Sequence, residues 1–188
     1  MSDLQRETLD EYLLTYEYLT EKISRFDERI EELASVERYE EKVKYMSCLL
    51  GIKTHTALSM IVEVGDFERF EKAPKFASFL GLVPSEDSSD TRVNRYSITK
   101  AGNSHLRRLL VEATQSYTRG NVGHKSAALK QRQKGNPPEV IAYADKANER
   151  LRRRFYKMTL NKGVNRNVAA IARELACFIW GMMTEHVS

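Results

Sequence analysis

FLGLVPSEDSSDTRVNRYSITKAGNSHLRRLLVEA, residues 79–113, decides how the body of this chain folds. An apolar helix end breaks at Gly81 and Pro84, a polar segment with Ser85, Ser88 and Ser89 follows, and a second helix opens at Asn103. Asn is a favoured N-cap, and Leu106, Leu109, Leu110 and Ala113 then recur at helical spacing, so a helix is expected over about 103–118. Between the helices, 91–98 alternates enough to form a short extended or hairpin piece. Helix, polar segment, helix is the pattern of an all-α body with room for one short β-hairpin.

The polar segment holds hydroxyls, and Arg92, Arg95, Lys100, His105, Arg107 and Arg108 surround it with cations suited to a phosphate. A serine is a weak nucleophile until a base takes its proton or cations stabilise the attacked group. No base is evident nearby. By spacing alone, serines in such a loop read as turn formers.

Upstream, residues 1–50 contain neither Gly nor Pro. Leu9, Tyr12, Tyr16, Leu19, Ile23, Phe26, Ile30 and Leu33 alternate steps of three and four, the seam of a coiled coil. Its partner is either the same helix of a second copy, the reading favoured here, or an element of the chain's own body. The phase shifts after Leu33, and Ser35 is a candidate N-cap for the next helix. We therefore divide the chain into a coiled-coil helix over 1–45, with dimerisation as its role, and a helical domain over 46–188. Leu50-Gly51-Ile52-Lys53-Thr54, with Ala57 following, resembles a helix-hairpin-helix, in which a tight turn offers backbone N–H groups to a phosphate. This copy is degenerate: Lys53 stands where a second glycine is usual. The same residues also suit a plain interhelical turn capped by Thr54.

Downstream, Pro137-Pro138 marks the start of a long helix to about 160. On it Lys146, Arg150, Arg153, Arg154 and Lys157 recur every three or four residues, a stripe fitted either to a phosphate backbone or to plain solvation. The last helix, about 165–184, has a broad apolar face through Val168, Ile171, Ala172, Leu175, Phe178, Ile179 and Met182, and is expected to be the most buried. Trp180 reads as core rather than as a base-stacking platform.

Charge is divided along the chain. Residues 1–45 hold 13 Asp+Glu against 7 Lys+Arg, net −6, and residues 46–188 hold 13 against 23, net +10, so the polyanion-binding surface is expected in the second part. No apolar run reaches the roughly 20 residues of a membrane span, and the N-terminus lacks the pattern of a signal peptide, so a cytoplasmic protein without membrane contact is expected. Cys48 and Cys177 lie in apolar helical patterns and read as buried free thiols. His55, His105, His124 and His186 show no ligand spacing, and no zinc is expected. Glu63 with Asp66, and Glu86, Asp87 and Asp90, are carboxylate groupings that read as solvated charges rather than a magnesium site.

Gly81-Leu82-Val83-Pro84, Ser89-Asp90, Ile98-Thr99-Lys100-Ala101-Gly102-Asn103 and Leu106-Arg107-Arg108 together resemble the C-terminal, serine-bearing domain of the bridge-RNA-guided insertion-sequence transposases, the insertion-sequence-one-ten family. Glu63-Val64-Gly65-Asp66 with Phe70, and Val168 through Leu175 with Trp180, are similar to its flanking segments, so the resemblance covers about 46–184. It implies DNA transposition, DNA and guide RNA as partners, and Ser89 as the residue that attacks DNA. It departs where the family's glycine is replaced by Asp90, whose charge repels an incoming phosphate. The family's magnesium is bound by carboxylates of an RNase-H-like domain ahead of this region, which nothing here supplies. The expectation is a chain with no cofactor of its own, inactive without that domain. A noncatalytic coiled-coil module that binds DNA or another partner is the alternative.

Overall fold

The structure, a computed structural model, describes residues 2–89, 92–159 and 164–185, with side chains described outside 86–97 and 164–166. Helix α1 (Asp3–Ala34) opens with a capping box: the Ser2 hydroxyl accepts from the Gln5 N–H at 3.3 Å, and the Gln5 side chain accepts from the Ser2 N–H at 2.8 Å. These contacts satisfy two of the N–H groups that every helix start leaves without partners. Its apolar stripe stays in solvent, with Tyr12 71%, Ile23 60% and Phe26 59% exposed. Only Ile30, Leu33 and Ala34, at its end, pack on the core.

The break at Ser35 occurs, with the opposite polarity to that expected. Ser35 closes α1 by donating its N–H to the Glu31 and Glu32 carbonyls and its hydroxyl to the Glu32 carbonyl. Its backbone is still helical, and the extended residue that turns the chain into α2 (Glu37–Ser47) is Val36, whose side chain cannot cap. A six-residue turn then leads to α3 (Thr54–Val64). Gly51 there has φ +87°, and a Cβ on it would overlap the Ala113 carbonyl, so the turn is seated directly on the body. Lys53, not Thr54, occupies the N-cap, and no side chain caps this helix.

Helix α4 (Ala73–Phe79), with Pro74 in its first turn, stacks Phe76 and Phe79 against Phe67 and Phe70. The polar segment is more regular than its sequence suggests. Strand β1 (Pro84–Ser89) pairs antiparallel with β2 (Arg92–Ile98), whereas only the second of these was expected to be extended. Strand pairing is a backbone event, and a polar surface hairpin satisfies its N–H and C=O groups without an apolar face that periodicity can detect. There follow α5 (Ser104–Thr114), a 3-10 turn Gln115–Tyr117, α6 (Ala127–Gln133), α7 (Pro138–Thr159) and α8 (Val164–Met183).

Helix α8 is the central element, packing against α2, α4, α5 and α7. Ile171, Ala172, Leu175, Ala176 and Ile179 are fully buried along it. Trp180 anchors the aromatic cluster, its Nε1 donating to the Phe67 and Phe70 carbonyls at 3.2 and 3.1 Å. Both cysteines are free; Cys48 is buried, and burial pushes its thiol up to about 11. The described residues thus form an all-α body carrying one hairpin.

Candidate nucleic-acid interface

The hairpin is rooted by backbone contacts between the end of α4 and the start of α5. The N–H groups of Thr99, Lys100 and Asn103 reach the carbonyls of Val83, Gly81 and Phe79 at 2.9, 3.2 and 3.0 Å. Gly102, at φ +116°, lies so close to the Phe79 carbonyl that any Cβ would overlap it. Asn103 caps α5, its Oδ1 accepting from the Leu106 N–H at 3.0 Å, while its Nδ2 donates to Glu63 Oε2 at 2.7 Å. The second Glu63 oxygen pairs with Nδ1 of His105. Glu63 is therefore the clamp of the α5 start rather than a solvated partner of Asp66. A separation of forty positions along the chain hides that contact from the sequence.

The cations expected here divide by what they touch. Arg107 is half-buried and donates from Nη1 to the Leu80 carbonyl at 3.0 Å, so it pins α4 to α5 instead of reaching outward. His105 is held by Glu63, with its side chain 41% exposed. Arg108 and Lys100 are exposed, Arg108 with Glu112 at 3.7 Å. In the hairpin, Ser89 is the cross-strand partner of Arg92 and Glu86 that of Arg95. Asp90 and Thr91 lie outside the described residues.

At the α2–α3 turn the inward groups are fully engaged. Asn148 on α7 accepts from the Leu50 N–H at 2.8 Å and from the Tyr117 hydroxyl at 3.0 Å, and donates to the Cys48 carbonyl at 3.2 Å. Arg132 and Gln133 donate to the Ser47 and Cys48 carbonyls. Burial pushes the Tyr117 phenol far above its ordinary range, so it stays a hydrogen-bond donor at any physiological pH. One N–H that a helix-hairpin-helix offers to phosphate, that of Leu50, is thus consumed within the fold. Lys53 and His55 at the α3 start remain exposed.

Along α7, Lys146, Arg150, Arg153, Arg154 and Lys157 are all exposed, as their spacing predicts. Three of them are paired. Arg150 and Arg154 both reach Glu174 of α8, whose side chain is 11% exposed, and Arg153 pairs with Glu149 one turn back. Lys146 and Lys157 take part in none of the ion pairs among the described residues. Two carboxylates against five cations leave the face positive, although less so than the sequence implies.

Among the described residues no three His, Cys, Asp or Glu side chains cluster as metal ligands. No described helix is long and apolar enough to cross a membrane. Residues 44–130 match the model of the Transposase IS116/IS110/IS902 family. A putative transposase y4qE of Sinorhizobium fredii is 37% identical over 142 residues, which cover 74% of this chain and 36% of the relative. The transposase for insertion sequence element IS1111A of Coxiella burnetii is 30% identical over 88% of this chain and 40% of its own length. That for IS1533 of Leptospira borgpetersenii is 28% identical over 82% and 44%. This chain spans well under two thirds of the length of these relatives.

Proposed function

The chain belongs to the IS116/IS110/IS902 transposase family, and from that premise we propose that it is a nucleic-acid-holding, serine-presenting part of such a transposase, acting on DNA in the cytoplasm. The observation that carries this reading is the in-register pairing of Ser89 with Arg92 at the end of the hairpin farthest from its root at α4 and α5. It sets a hydroxyl-bearing residue across from a cation, on an element anchored to a rigid core. In the proposed chemistry the Ser89 oxygen attacks a DNA phosphorus and displaces one deoxyribose oxygen, so that the phosphodiester energy is kept in the phosphoserine bond. Arg92, Arg95, Lys100 and Arg108 offset the charge that builds on the phosphate. The magnesium that the family resemblance associates with the reaction is assigned to carboxylates outside this chain, which is inactive without them.

Lys53 and the α7 face hold DNA, or a guide RNA, through phosphates. The α1 seam pairs with the same seam of a second copy, joining two bodies. A noncatalytic coiled-coil module that uses the same faces is the second reading, favoured by Asp90 next to Ser89. Fluorescence anisotropy with duplex DNA and with a structured RNA, at low and moderate salt, tests the binding. Salt-sensitive affinity is expected, and a folded protein that binds neither at low salt overturns the reading. Ser89→Ala, placed in the full-length transposase, is expected to abolish strand exchange and leave binding intact; unimpaired exchange selects the noncatalytic reading.

A further inference from the structure

We propose that Arg152 and the loop at 119–124 form a phosphate-binding site, taking a phosphodiester group of a nucleic acid beside Gly120. Neither the basic stripe of α7 nor the hairpin includes it. Arg152 is 8% exposed, on the face of α7 that carries Asn148 rather than the face that carries the exposed cations. Its Nη1 donates to the carbonyls of Asn121 and His124 at 2.6 and 3.1 Å. Its Nε is buried with no hydrogen-bond partner.

No carboxylate pairs with it among the described residues. The acidic side chains of this region are engaged elsewhere: Asp145 with Lys125, Glu149 with Arg153, and Glu174 with Arg150 and Arg154. A guanidinium buried to this degree normally has a counter-ion and most of its five donors satisfied. Arg152 has neither.

The Nη2 edge of this cation, which takes part in none of the hydrogen bonds among the described residues, faces Gly120. A Cβ placed on Gly120 meets nothing within 4 Å except Nη2 of Arg152 at 3.7 Å and Cζ at 3.9 Å. The space is therefore lined by the guanidinium and left open by the missing side chain. The loop is arranged to suit an anion. Its carbonyls turn inward, that of Gly120 accepting from the Tyr156 hydroxyl and those of Asn121 and His124 from Arg152. The N–H groups of Asn121, Val122 and Gly123 have no acceptor within the described protein, and these residues are exposed. N–H groups without an acceptor in a glycine-bearing turn suit an anion, and the planar guanidinium fork matches phosphate oxygens. Exposed Arg119 and His124 flank the opening. A nucleic acid is the source of the phosphate on the reading given above; the existence of the anion site does not depend on that reading.

The test follows the Arg152 Nε–H and the amides of 120–123 by proton–nitrogen NMR of the whole chain. Inorganic phosphate is titrated against chloride at matched ionic strength, and Arg152→Lys assigns the side-chain signal. These resonances are expected to move saturably with phosphate and not with chloride. They should stay still in Gly120→Asp, where a carboxylate replaces the missing counter-ion; the backbone strain at φ +80° is shared by the Asn variant that follows. Gly120→Asn, similar in shape but uncharged, separates a charge effect from simple filling of the space. In DNA binding, Gly120→Asp is expected to reduce the dependence of log K on log salt by about 0.9, one phosphate contact. No response of the folded wild type to phosphate, or an equal response in Gly120→Asp, overturns the site. A phosphate response with unchanged DNA affinity and salt slope in Gly120→Asp overturns the phosphodiester assignment and leaves the nucleic-acid reading standing. Failure of the wild type to bind DNA at all defeats that reading instead.

Discussion

Helices α1 and α8 carry apolar stripes of the same kind with opposite fates. On α8, Ile171, Leu175 and Ile179 are fully buried, whereas on α1 Ile23 is 60% and Leu19 49% exposed. Both stripes suffice to specify a helix. Burial, at roughly 25 cal/mol per Å² of apolar surface, stabilises only the one that another element covers. Helix α1 instead persists through its length, its capping box and surface pairs such as Arg29 with Glu32, each of which contributes little alone. An apolar stripe thus reports that a partner is needed without naming it.

The contrast is most directly broken by paired truncations. Leu175→Ala is expected to lower the stability of the body by about 3 kcal/mol, the usual cost of a buried leucine cavity. Leu19→Ala is expected to change it by less than about 0.5 kcal/mol in the same urea titration. Equal losses would show that α1 folds back onto the body in solution. Next in size is Asn148→Ala, which removes three hydrogen bonds, two to the α2–α3 turn and one from Tyr117; a loss of about 2 kcal/mol by thermal unfolding is expected. Lys53→Ala on the outer side of the same turn should leave stability unchanged and weaken nucleic-acid binding. If the two variants behave alike, the division of the turn into an inner structural side and an outer binding side is wrong.

Ile23→Asp combined with Phe26→Asp should leave unfolding of the body within about 0.5 kcal/mol of the parent and halve the mass measured by light scattering. A mass that does not change removes the α1 seam as the interface. The smallest effect on folding is expected from Lys146→Glu with Lys157→Glu, since neither lysine holds a described ion pair. This pair should reduce the salt slope of DNA binding by about 1.8, roughly 0.9 for each lost contact. Reversing Arg150 and Arg154 is a less clean probe, because it also leaves the nearly buried Glu174 against two like charges.

Much of the helical framework was legible. The α8 face, the prolines at the start of α7 and the Asn103 cap all follow from local chemistry that acts within a few residues. The misassignments were also local. Ser35 has the composition of an N-cap and serves as a C-cap, because the choice depends on backbone angles that an exposed serine does not fix. The first hairpin strand was missed because its residues are polar and periodicity detects only apolar faces. The candidate interface was legible as a set of cations and much less so as a geometry. Composition marks Arg107, Arg150 and Arg152 alike, yet one pins two helices, one pairs with a carboxylate in the open and one is buried under a loop.

The sequence by itself determined the all-α class, the central apolar helix, the acidic first segment and basic second part, and the family, since these reside in composition, short-range spacing and matching residues. Only the tertiary structure decided that Glu63 holds Asn103 and His105, that Asn148 fills the inside of the α2–α3 turn, and that Arg152 lies buried beside Gly120 without a counter-ion among the described residues. Each of those depends on groups brought together from distant parts of the chain. Hydrogen bonds and charge pairs act over a few ångströms of space, and no spacing along the chain encodes that distance.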